Sequence, residues 1–123
     1  MPSWLEKLEA ELAFLTSVTF SENALADFKS FDPHTKKVVL ALIISQARRG
    51  ANFRPDGNGI RLNNELNEFA KIKRTHTSLR VVYRPVVDGF IELQILAIGP
   101  RDRDKAYAVA KKRLTAFHEE LGE

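Results

Sequence analysis

The spacing of apolar residues changes several times along this chain, and each change marks an element. Trp4, Leu5, Leu8 and Leu12 recur at helical intervals behind Ser3 and Glu6, a capping-box pair, so a short amphipathic helix is predicted over 3–13. Residues 14–20 are rich in β-branched and aromatic side chains and read as a first strand. Ser21 can cap a helix that carries Leu25 and Phe28 inward. Asp32-Pro33 joins a capping side chain to a proline at the first helical position, and Arg48-Arg49-Gly50 is the matching stop. Residues 38–44 between them are almost wholly apolar, so this helix is expected to lie buried against a sheet.

Residues 50–60 hold three glycines and a proline and form a loop. From Phe69 the period falls to two, with Phe69, Lys71 and Lys73 on one face of a strand and Ala70 and Ile72 on the other. Strands over 79–86 and 90–98 flank a Val87-Asp88-Gly89 turn, the second with Ile91, Leu93 and Ile95 opposite Glu92 and Gln94. Asp102 or Asp104 favours the start of a last helix, whose apolar stripe is Tyr107, Ala110, Leu114, Phe117 and Leu121. The order α-β-α-α-β-β-β-α implies an α+β fold: a small, mostly antiparallel, curved four-stranded sheet with helices packed on one face and the other face open.

A length of 123 residues suits a single domain, with an N-terminal helical extension over 1–13, a core over 14–114 and a C-terminal helix extension over 115–123. The chain is 44% apolar and 28% charged, which argues against disorder. It has no cysteine, which rules out disulfides and thiolate metal sites and agrees with a reducing cytoplasm. No stretch approaches the ~20 apolar residues of a membrane span, and charges interrupt any signal-like run at the start. A cytoplasmic protein without membrane contact is expected.

Charge is distributed unevenly. Between Lys71 and Arg113 eleven Lys and Arg stand against four Asp and Glu, a net of +7, so the rest of the chain carries −4 of the total +3. A positive face of this kind attracts nucleic acid and can recruit an acidic partner. Within it lie Lys71-Ile-Lys73, Arg80-Val-Val-Tyr83, Gly99-Pro-Arg101-Asp-Arg103 and Tyr107. Folding of three adjacent strands and the helix after them can gather four cations and a phenol around one anion, for which a phosphodiester is the natural candidate. His34, His76 and His118 sit on separate elements without ligand spacing, and no aspartate cluster suggests magnesium, so neither metal nor cofactor is expected.

These residues resemble the RelE branch of the RelE/ParE toxin superfamily, the toxins of type II toxin–antitoxin modules. The likeness runs from about Val18 to Leu114 and is sharpest at Lys71-x-Lys73, Arg80-Val-Val-Tyr83, Gly99-x-Arg101-x-Arg103 and Tyr107. The chain departs from the pattern in its N-terminal segment, a longer loop around Pro55 to Gly59, Leu79, Pro100 and a last helix that runs past Leu114. The resemblance implies a ribosome-associated endoribonuclease that cuts mRNA, held inactive by a cognate antitoxin. RNA cleaves when its 2′-hydroxyl attacks the adjacent phosphorus, which requires a base, charge neutralisation on the phosphorane and stabilisation of the departing 5′-oxygen.

A lysine amine flanked by cations is disfavoured in its charged form and so can serve as a base. The resemblance points to Lys73 for this role, with Tyr107 as rival or assistant near the 2′-hydroxyl. Arg80 and Lys71 then hold the non-bridging oxygens, and Arg101 stabilises the leaving oxygen. Arg74, His76, Arg84 and Arg103 are further candidates for RNA contact. Each residue also has a plainer reading: Lys71 and Lys73 as the wet side of a strand, Tyr107 as core packing, Arg101 as an ion pair to Asp104, His76 as a turn residue. Two other functions compete. One is a ParE-like poison of DNA gyrase, a branch that generally lacks the paired lysines; the other is a non-catalytic RNA-binding module with Phe69 and Tyr83 stacking on bases.

Overall fold

A computed structural model describes residues 16–73, 78–88, 90–100 and 105–123. The helix expected over 3–13, the turn at Gly89 and the caps expected at Asp102 or Asp104 fall outside them. Helix α1, Glu22–Ser30, begins where Ser21 accepts a hydrogen bond from the Ala24 N–H at 3.1 Å, and it buries Ala24 and Phe28. Helix α2, Pro33–Arg49, starts with Asp32 accepting from the Thr35 N–H at 2.7 Å and proline in the first turn. Both starts follow from side chains that satisfy N–H groups the helix itself leaves unpaired. Thr35 holds the Asp32 carboxyl below the usual carboxylate range. Gly50 ends α2 at φ 107°, a left-handed value that glycine adopts without steric cost.

Five strands form one sheet among the described residues: β1 Thr16–Phe20, β2 Ile60–Arg61, β3 Ala70–Ile72, β4 Leu79–Asp88 and β5 Phe90–Pro100. Their spatial order is β1-β5-β4-β3-β2, with β1 parallel to β5 and every other pair antiparallel. The α+β class and antiparallel meander expected from the sequence are present, with β2 as a fifth strand. Two residues are too few to show a period, so β2 lay hidden in the glycine-rich stretch.

Helices cover both faces of the sheet, which corrects the expectation of one covered and one open face. On one side α1 and α2 bury Phe28, Val39 and Ile43 against Ile72, Val81, Tyr83, Leu93 and Ile95. On the other, helix α3, Lys105–Glu120, buries Ala110 and Phe117 against Phe69, Val82, Leu96 and Ala97, with Tyr107, Leu114 and Leu121 packed alongside. The physical reason is in the strands themselves. Val81-Val82-Tyr83 and Leu96-Ala97-Ile98 are unbroken apolar runs, buried throughout, and a strand of that kind needs cover on two sides. The predicted stripe of the last helix supplies the second cover. No helix among the described residues is long and apolar enough to cross a membrane.

Candidate functional site

Strand parity decides where the lysines point. Ala70 and Ile72 enter the core beneath α1 and α2, so Lys71 projects from the opposite face, toward α3. There its Nζ lies 5.9 Å from the centroid of the Tyr107 ring, a cation–π contact at the outer limit of range. Val82 stands opposite Lys71 in the ladder and packs under α3, and Arg80, two residues before it, shares that face. Gly99 pairs with Arg80, and a Cβ built on Gly99 would lie 3.8 Å from the Ala106 Cβ, so the first turn of α3 rests directly over this row. Lys71, Arg80 and Tyr107 therefore share one face at the end of the sheet where α3 begins. Lys73 is exposed and follows β3 with the parity of Lys71.

Arg80 is only 7% exposed, and its Nη1 donates to the Leu79 carbonyl at 2.9 Å. A buried guanidinium keeps its charge and points in a fixed direction, the properties wanted of a group that receives an anion. Beside Lys71 and Tyr107 opens a cleft of about 400 Å³, walled by Leu62 and Leu66 on one side and by α3 with Lys111 on the other. Tyr107 and Lys111, four residues apart, lie on the same side of the helix.

No protein-family model and no curated protein matches the chain. Solved structures do. A double mutant of the E. coli toxin RelE in the free state superposes with a TM-score of 0.58 at 19% identity, over 80% of this chain and 96% of that one. The isolated E. coli RelE toxin gives 0.54 at 20% identity, over 80% and 97% of the two chains. A chain of the RelBE2 toxin–antitoxin complex from Mycobacterium tuberculosis gives 0.54 at 23% identity, over 69% and 96%. The fold is RelE-like.

Within the RelE-like frame the remaining candidates separate. Arg101, Arg74, His76 and Arg103 lie outside the described residues. Arg84 has its donors turned inward: Nη1 and Nη2 bond the two carboxylate oxygens of Glu123 at 2.9 and 2.6 Å, Nε bonds Gln94 at 2.8 Å, and the guanidinium lies 5.1 Å from the Phe117 ring centroid. Through these bonds Arg84 fastens the turn after α3 to β4. Phe69 and Tyr83 are fully buried, and the Tyr83 hydroxyl donates to the Ala51 carbonyl at 2.8 Å, so neither offers a ring to a base. Burial pushes the Tyr83 phenol up.

Two polar anchors of this chain were not legible in its sequence. Asp27 on α1 receives both terminal nitrogens of Arg113 on α3, at 2.6 and 2.8 Å, and the Ile98 N–H at 3.0 Å. Arg84 and His118 hold the Glu123 carboxyl down at about 2, and Glu123 in turn raises Arg84 further. Partners separated by 86 and 39 residues leave no local pattern to read.

Proposed function

We propose that this chain is the toxin of a type II toxin–antitoxin pair and a metal-independent endoribonuclease that cleaves mRNA on the ribosome. The observation that carries the reading is the gathering of Lys71, Arg80 and Tyr107 on one face of a RelE-like sheet, with Lys73 next in line. The solved RelBE complexes pair such a fold with an antitoxin, which supports a cognate antitoxin as partner here.

In the proposed reaction Lys73, assisted by Tyr107, takes the proton of the 2′-hydroxyl. The 2′-oxygen forms its bond to phosphorus while Arg80 and Lys71 neutralise the non-bridging oxygens, and Arg101 stabilises the 5′-oxygen as the P–O5′ bond breaks and that oxygen takes a proton from water. The products are a 2′,3′-cyclic phosphate and a 5′-hydroxyl. The cations supply the positive charge that a metal brings in other phosphoryl enzymes.

Purified protein added to translating ribosomes should cut the mRNA and leave those ends. Arg80→Ala should lower the single-turnover rate by on the order of 10²–10³, the cost of one lost transition-state contact. Full cleavage by that variant, with its melting curve unchanged, would reject the assignment. Loss of DNA supercoiling with mRNA left whole would point instead to a gyrase poison.

A further inference from the structure

The apolar face beneath α1 and α2 loses its cover step by step toward the end of the sheet where β4 turns into β5. Its residues stand in rows across β1, β5 and β4. In the first row Phe20, Ile95 and Tyr83 lie side by side, with Ile95 and Tyr83 fully buried. In the second, buried Leu93 lies between half-buried Val18 and Pro85. In the third, Ile91 is half-buried and Val87 is 56% exposed, the most exposed large apolar side chain among the described residues. Thr16 pairs with Ile91 and completes that row. Ile91 and Val87 thus continue the inward alternation of β5 and β4 one step past the reach of the two helices, a pattern that calls for a further cover.

Thr16 is also where the N-terminal segment joins the sheet. That segment carries Trp4, Leu5, Leu8 and Leu12 at helical spacing, an apolar stripe that the site around Lys71 does not use. A helix over 3–13 would be about 16 Å long. The three strands of the row measure about 10 Å from first to last, so one such helix spans them. Residues 13–15 allow up to about 14 Å of chain between Leu12 and Thr16, enough for the helix to turn back over the row.

We infer that residues 3–13 form a helix that crosses this end of the sheet and closes it, setting Trp4, Leu5, Leu8 and Leu12 against Val18, Ile91 and Val87. The occupant is this chain's own segment because its tether ends on the row it covers: a short linker holds it there at an effective concentration on the order of millimolar, which a free partner would have to match. Val87 and Arg80 lie roughly 20 Å apart along β4, so the cap leaves the Lys71 end of the sheet clear.

Trp4 is the single tryptophan, so its fluorescence reports the contact in the intact protein. Its emission should be blue-shifted from that of N-acetyltryptophanamide, with an acrylamide quenching constant several-fold lower. Val87→Asp on the sheet and Leu8→Asp on the segment should each melt cooperatively, yet return emission and quenching to the values of the free indole. Val109→Asp, at the other exposed apolar position, should leave Trp4 as it is in the wild type. A wild type whose Trp4 already behaves like the free indole would leave the strip to a separate partner and overturn the inference. So would shielding that survives Val87→Asp, or shielding that fades on dilution from micromolar to nanomolar protein, the mark of a second copy in place of the chain's own segment.

Discussion

Asp27 is a single carboxylate that accepts from three donors on two other elements, and it and Arg113 are each only 19% exposed. Replacing one partner of such a group leaves the others desolvated and unpaired. Asp27→Ala should therefore lower stability by about 1–3 kcal/mol in urea denaturation; a change under about 0.5 kcal/mol would mean that water replaces the carboxylate without penalty. Legibility at this scale followed distance along the chain. Ser21 and Asp32 were readable as caps because their partners lie three residues away, and Lys71 because its face follows from its neighbours Ala70 and Ile72. The Arg84 tether was not legible, since nothing near it in sequence announces Glu123, 39 residues on.

Helix α3 shows what a periodic pattern conveys and what it leaves open. Its stripe was written in the sequence, with Ala110 and Phe117 buried and Tyr107, Leu114 and Leu121 half-buried beside them, although buried Ala106 was not foreseen; the face of the sheet it covers depends on the double-sided burial of β4 and β5. The turn that follows it is tied down by Glu123, which bonds Arg84 and His118. The Glu123 carboxyl titrates at about 2 in the folded chain against an ordinary 4.5, so the folded state binds fewer protons than the unfolded chain between those values. Its contribution is complete above the ordinary value and is lost as pH falls from there toward 2. Glu123→Gln should flatten this segment of the stability–pH profile, followed by thermal melts at stepped pH. A mutant profile that overlays the wild type would show that the tether adds nothing.

At the scale of the whole molecule, the +7 carried between Lys71 and Arg113 against −4 elsewhere should govern binding to RNA. Single-stranded RNA loses affinity with salt at a log–log slope of about −0.7 for each phosphate neutralised. Lys71→Gln with Lys73→Gln should reduce the magnitude of that slope by about 1.4, while Lys37→Gln on α2, behind the sheet, should leave it alone; equal slopes for all three proteins would place the RNA elsewhere. The class of the fold was visible from the sequence because capping and period are local physics. Strand order, two-sided burial and the tethers arise only when distant segments meet. One such meeting has a bearing on self-association. The pairing of β1 with β5 ends at Ile95, yet the next stretch of that edge is blunted: Asp27 occupies the Ile98 N–H, Arg113 occupies the Leu96 carbonyl, and Pro100 has no N–H to give. A foreign strand finds few groups there to zip onto, and this margin of the sheet is guarded against amyloid-like growth.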